Sequence, residues 1–307
     1  MTEHRVFHSM GIPVHITMVG VSSEQADDVL RKAECVFSEY DFRFSRFKPE
    51  SELMGLNTSN GAWHKVSVEL FQVLKRCVAL ASETNGVFDP SVGGILASYG
   101  YGLPEHFTMR APQPTYRDLA FNDRELLVRL APGQILEPAC IVKGMAIDMA
   151  GNAVLEIIDI RTHGFMINAG GDILTKGAFK DGKSWNIAIQ DPRSTGAIVA
   201  ALGVQNAGVA TSGTYQTYGD QDGKKWHHLV NMKTMESPSE IMSATVVAET
   251  CEQADTEASL AILLTKNEAV SRLGSLGLPY FLMFNDGTIT KNAAFEALEI
   301  PISTLVS

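Results

Sequence analysis

Between residues 165 and 248 the chain reads FMINA (165–169), WNIAIQ (185–190), AIVAALGV (197–204), GVATS (208–212) and MSATVVA (242–248). Each segment is apolar and β-rich, and they follow one another between well-separated helical patterns. Such a run of strands predicts an α+β fold rather than a doubly wound parallel sheet. Upstream, a helix is expected from about Lys143 to His163, closed by Gly164. Downstream, one is expected over Cys251–Leu264, with a short helix after Asn267 and a strand in PYFLMF (279–284). Nearer the start, Val14, Ile16 and Met18 alternate with His15 and Thr17, as in a half-buried strand. Ser22 and Gln25 have capping-box spacing, and Ala26, Val29, Leu30, Ala33 and Phe37 continue at helical spacing. A further helix starts near Ser67, with Gly86 placed to end it.

Composition narrows the function. The 307 residues are 45% hydrophobic and 20% charged, an ordinary globular balance. No stretch approaches 18 consecutive apolar residues, so no membrane span is expected. The net charge of -10 argues against nucleic acid, whose phosphates must be met by Lys and Arg. Cys35, Cys77, Cys140 and Cys251 are scattered without a C-x-x-C pair, which argues against zinc or a disulfide framework and predicts reduced, mostly buried thiols. NAGGDI (168–173) has neither dinucleotide-binding nor P-loop spacing. The start reads without a signal peptide, so the expected location is cytoplasmic.

Four segments carry residues suited to chemistry. In AETCEQADTEASLAILL (248–264), Asp255 and Ser259 stand four apart and emerge from one helix face. A carboxylate and a hydroxyl so placed can ligate a hard cation such as magnesium, or can lie on a solvated face. In LEPACIVKGMAID (136–148), Lys143 at a helix start can set a point charge on a diphosphate, or be a surface lysine. In KKWHHLVNMKT (224–234), His227 and His228 compete for the role of general base, and backbone hydrogen bonds can equally satisfy either. In GVFDPSVGGI (86–95), Phe88 and Asp89 precede a turn that suits a ring-and-amide surface or a capped loop.

The order of these segments resembles the ApbE family, the FAD:protein FMN transferases. HSMGIPVHITM (8–18), FSRFKPESELMGLN (44–57), FDPSVGGI (88–95), ACIVKGMAID (139–148), INAGGDI (167–173), VATSGTYQ (209–216), HHLVNMKT (227–234) and CEQADTEAS (251–259) follow the family's order nearly end to end. The resemblance implies one domain over residues 1–307. It also implies mostly antiparallel, T-fold-like sheets packed with helices, in two intimately joined lobes.

It further implies Mg²⁺-dependent cleavage of FAD and transfer of FMN, through a phosphoester, to a Thr or Ser of an acceptor protein, with release of AMP. An FAD diphosphatase and a non-catalytic flavin-binding protein are the alternatives. Asp255, Ser259 and the Cys140 carbonyl would be the metal ligands. Glu137 and Lys143 would meet FAD. Met10, Phe47, Val87, Phe88, Asp89 and Leu229 would line the flavin or adenine pocket, and His228 would be the base. Four positions depart from the family pattern: Ser259 stands for Thr, Glu137–Cys140 for Asp-Leu-Gly-Gly, Asn231–Met235 for Asp-Pro-x-Thr-Gly, and Ile12 for the threonine of Met-Gly-Thr.

Overall fold

The computed structural model describes residues 1–101, 112–215, 218–221 and 224–306. Gln216, the last residue of the VATSGTYQ match, lies outside them. The elements run β1 (Thr2–Ser9), β2 (Ile12–Val19), α1 (Ser23–Phe44), α2 (Glu52–Asn57), β3 (His64–Lys65), α3 (Val68–Glu83), α4 (Gly93–Ser98), β4 (Ala120–Asn122) and β5 (Leu127–Arg129). Next come α5 (Ala139–Leu155), β6 (Gly164–Ala169), β7 (Asp172–Lys176), β8 (Trp185–Gln190), β9 (Ile198–Val204), β10 (Gly208–Gly213), β11 (Tyr218–Gln221) and β12 (Lys224–His227). The chain closes with β13 (Ile241–Ala248), α6 (Cys251–Leu263), α7 (Lys266–Ser275), β14 (Tyr280–Phe284), β15 (Ile289–Lys291) and α8 (Ala293–Glu296). The fold is α+β with antiparallel sheets. It divides into two compact units, residues 1–38, 143–213 and 239–307 in the first and residues 39–142 and 214–238 in the second.

The first unit is built on an eight-stranded sheet in the order β1-β2-β6-β7-β10-β13-β14-β15, antiparallel throughout. Both faces are covered. On one, Trp185, Ile187, Ile189 and Leu202 of the β8–β9 hairpin bury Ile173, Val209, Val247 and Phe281. On the other lies α6, against β10 and β13. A strand covered on both faces reads as a continuous apolar run, which is why these segments show little alternation. Polar residues in such strands therefore stand out. Asp172 and Thr175 of β7 and Ser243 and Thr245 of β13 are all buried.

Local chemistry sets the turns. The Ser22–Gln25 capping box is present, with bonds of 3.0 and 3.2 Å. Met10 (φ 53°) and Gly11 (φ 74°) join β1 to β2 across the Ser9–Ile12 pair, a two-residue hairpin loop with both central residues left-handed. The Gly-Gly of NAGGDI is the same device between β6 and β7, across the Ala169–Asp172 pair.

One helix departs from expectation. α5 begins at Ala139, where the Pro138 carbonyl accepts from the Ile141 and Val142 amides, and it ends at Leu155 instead of His163. The following Ile157 and Ile158 amides fold back onto Val154 O, and Asp159 O takes the Thr162 and His163 amides as a separate turn. Gly164 therefore does not close a helix. It opens β6, and glycine is required because a Cβ there would fall 2.1 Å from Ala178 O.

The second unit holds α2, α3 and α4, the three-stranded β3-β5-β4 sheet and the β11–β12 pair. Ser67 caps α3 by accepting the Leu70 amide at 3.1 Å. The helix buries Leu70, Leu74, Cys77, Leu80 and Ala81, and Gly86 follows it in the left-handed region. Ile95, Leu96, Val230 and Met232 form a smaller core. No helix among the described residues is long and apolar enough to cross a membrane. None of the four cysteines is disulfide-bonded. Cys77 and Cys251 are buried, Cys140 is half-buried and Cys35 is exposed, so fewer are hidden than the composition suggested.

Candidate active site

The polar centre of the first unit is assembled by α5, α6, β7 and β10. α6 is buried on nearly every face. Asp255 is 1% exposed and Ser259 is 6% exposed, which removes the alternative of a solvated polar face. Two contacts lock α6 to α5. Asp148 of α5 accepts the Cys251 and Glu252 amides, both at 2.8 Å, so its carboxylate meets the otherwise unpaired donors and the positive end of the helix dipole. One turn earlier, Gly144 lets the backbones touch, since a Cβ there would lie 2.5 Å from Glu252 Cα.

That docking places Lys143 among carboxylates. Its ammonium pairs with Asp172 Oδ2 of β7 and stands 3.7 Å from Asp255 Oδ1. Lys143 is thus not an ordinary surface lysine. Burial works against its charge, but the Asp172 and Asp255 carboxylates outweigh burial and hold its pKa above the usual lysine value. Asp255 moves up as well, because burial and the Asp172 charge outweigh the pull of Lys143 and of the Gly144 amide. Two buried carboxylates thus share one ammonium, which favours a proton on Asp255 in the empty site and which a bound cation would relieve.

The residues fit a divalent cation of the hard type. Asp255 Oδ2 is buried without a hydrogen-bond partner. Ser259 Oγ lies one turn further along α6, bonded to Ser212 Oγ of β10 at 2.9 Å. No group of three or more His, Cys, Asp or Glu side chains among the described residues forms a cage for a metal. A donor set of one carboxylate and one hydroxyl suits magnesium, which keeps waters and takes further ligands from substrate phosphates.

Asp172, Ser212 and Asp148 join the cluster although no spacing within INAGGDI, VATSGTYQ or ACIVKGMAID singles them out. The signal that could have singled them out is a lone polar residue inside an apolar element, because buried polar groups are the informative exceptions.

In the second unit, Glu137 is engaged within the protein. Its Oε2 pairs with Arg46 Nη1 at 2.7 Å, both side chains below 10% exposed, and its Oε1 accepts the Ala139 amide. The Arg46 guanidinium also lies over the rings of Tyr101 and Phe47, at 4.2 and 4.8 Å. Phe47 itself is 66% exposed. Asp89 is 2% exposed and spends both carboxylate oxygens on the Ser91 and Tyr116 amides, so it shapes the turn after the buried Val87 and Phe88. Of the neighbouring histidines, His227 is committed to the fold. Its Nε2 donates to Pro238 O at 2.6 Å, its Nδ1 accepts the Leu229 amide, and burial holds its pKa below the usual histidine value. His228 is half-buried, its ring centroid 6.4 Å from that of Tyr101, and Leu229 is buried beside it.

Comparison with known proteins gives the family of this fold and cluster. The model of the ApbE family matches residues 10–282, and the chain belongs to that family. The FAD:protein FMN transferase of Haemophilus influenzae is 26% identical over 315 residues, covering 94% of this chain and 89% of that protein. The FAD:protein FMN transferase of Salmonella typhimurium is 25% identical over 296 residues, covering 91% and 83%. Among solved structures, the ApbE protein of Thermotoga maritima superposes with a TM-score of 0.86 at 23% identity, over 98% of this chain and all of that one.

Proposed function

We propose that this chain is a magnesium-dependent FAD:protein FMN transferase that joins the FMN half of FAD to a threonine or serine hydroxyl of an acceptor protein and releases AMP. The observation that carries the proposal is Asp255, a carboxylate 1% exposed with one oxygen unpartnered, beside Lys143 in a chain that matches the ApbE family over most of its length.

In this reading Asp255 and Ser259 hold Mg²⁺, with the Cys140 carbonyl on the first turn of α5 as the third protein ligand. Bound there, Mg²⁺ supplies positive charge against the diphosphate oxygens. Lys143 adds a fixed point charge for the same oxygens, held in place by Asp172. His228 accepts the proton of the acceptor hydroxyl as its oxygen bonds to the FMN phosphorus and the bond to AMP breaks. Met10, Phe47, Val87, Phe88 and Leu229 are assigned to the flavin and adenine rings. Glu137 and Asp89 act through the Arg46 pair and the 89–91 turn they hold. The cytoplasm is the proposed location.

The test is incubation with FAD, Mg²⁺ and a threonine-containing acceptor, followed by denaturing electrophoresis. The expected result is a fluorescent acceptor band that appears with one AMP per FMN transferred. AMP release at an undiminished rate without acceptor, and no band with it, would sink the transferase in favour of a diphosphatase.

A further inference from the structure

Residues 209–213 of the VATSGTYQ segment, from which the proposed chemistry takes no residue, lie in β10 beside the cluster. Period-two alternation along the strand puts Ala210 and Ser212 on the face that carries α6, with Val209 on the opposite face among the residues under β8–β9. Ser212 Oγ lies 2.9 Å from Ser259 Oγ. Its neighbour Thr211 gives its amide to Asp172 Oδ1 at 3.3 Å, and the Thr211 hydroxyl bonds that of Thr245 at 2.9 Å, which pins this part of β10 to β13.

We infer that Ser212 is a positioning residue for Ser259. The inference rests on the reading of Ser259 as a metal ligand. A hydroxyl that ligates a hard cation turns its lone pairs to the ion and must send its proton to an acceptor. Ser212 Oγ stands where that acceptor is needed. The bond also selects one of the three staggered χ1 rotamers open to an unbranched serine. A threonine at position 259 would be narrowed to two rotamers by its branched Cβ, whereas here the restriction comes from the neighbouring strand. Ligand orientation by an outer hydrogen bond is a general feature of metal sites, and its loss commonly weakens binding about tenfold or more.

The experiment is Mn²⁺ titration of the purified protein, with free Mn²⁺ read by electron paramagnetic resonance and no turnover involved. Ser212→Ala is expected to weaken Mn²⁺ binding about tenfold. Ser212→Cys, similar in size but a poor acceptor, should do the same, which guards against a folding defect in the alanine variant. Ser259→Thr in the Ser212→Ala background, which narrows three rotamers to two, should recover no more than about 1.5-fold of the loss. Binding within twofold of the parent in both Ser212 variants would overturn the inference. Ser259→Ala separates the two levels: if it leaves Mn²⁺ binding unchanged, the ligand assignment fails first.

Discussion

Gly144 of α5 and Glu252 of α6 pack backbone to backbone, so closely that a Cβ on the glycine would stand 2.5 Å from Glu252 Cα and 2.8 Å from Cys251 O. The obstructing atoms are main chain and cannot rotate away. Gly144→Ala should therefore push the helices apart, destabilise the fold by about 1–3 kcal/mol and separate Lys143 from Asp255. Thermal unfolding and the Mg²⁺ dependence of turnover check both effects. A parent-like melting temperature would contradict the close packing.

Asp255 should trade stability for function. It shares one ammonium with Asp172, so in metal-free protein burial and like-charge repulsion push its carboxyl up to about 8, and folding must work against its ionisation. Asp255→Asn should abolish Mg²⁺-dependent turnover while raising the metal-free melting temperature by a few degrees, corresponding to about 1 kcal/mol. Added Mg²⁺ should stabilise the parent and leave the variant unchanged. Calorimetric scans with and without the ion measure all three outcomes.

The two histidines should separate cleanly. His227 has a lowered pKa in the folded chain. Below its ordinary value of about 6.5, the unfolded chain takes up a proton that the folded chain resists, so stability is present above that pH and is lost as pH falls. His227→Gln should flatten this part of the stability profile, as read by urea unfolding between about pH 5 and pH 7. His228→Ala should instead lower FMN transfer while FAD binding persists. If His227→Ala alone produces that kinetic loss, the base is assigned one position too far along.

The Arg46–Glu137 pair is buried on both sides, and Arg46 is further held over two rings. Removing one partner strands the other charge. Glu137→Ala should cost about 3–5 kcal/mol, whereas Glu137→Gln with Arg46→Met should recover much of the loss. Denaturant unfolding of the parent and the two variants decides it. Equal stability of the single and double variants would show that Arg46 is not left stranded.

Much of the local structure was legible because it depends on near neighbours in the chain. Ser22 with Gln25, Ser67 with Leu70, and Gly86 after α3 are decided within a few residues. The end of α5 was misread because glycine has two uses. Gly164 looks like a helix stop, but its place is set by Ala178 O, fourteen residues on in the sequence. Asp255 and Ser259 were legible as a pair through their spacing, yet spacing alone left the solvated face open.

The sequence by itself determined the class of fold, the helix that carries Asp255 and Ser259, and, through the order of its motifs, the family. Periodicity, caps and motif order are properties of contiguous residues. Only the tertiary structure decided that Asp172 faces Lys143, that Asp148 caps α6, that Ser212 meets Ser259, and that His227 serves the fold. Each of these pairs joins residues from separate elements, or commits a side chain to a distant carbonyl. The backbone hydrogen bonds and apolar burial that bring such elements together are long-range, so no local pattern records which polar side chains will meet.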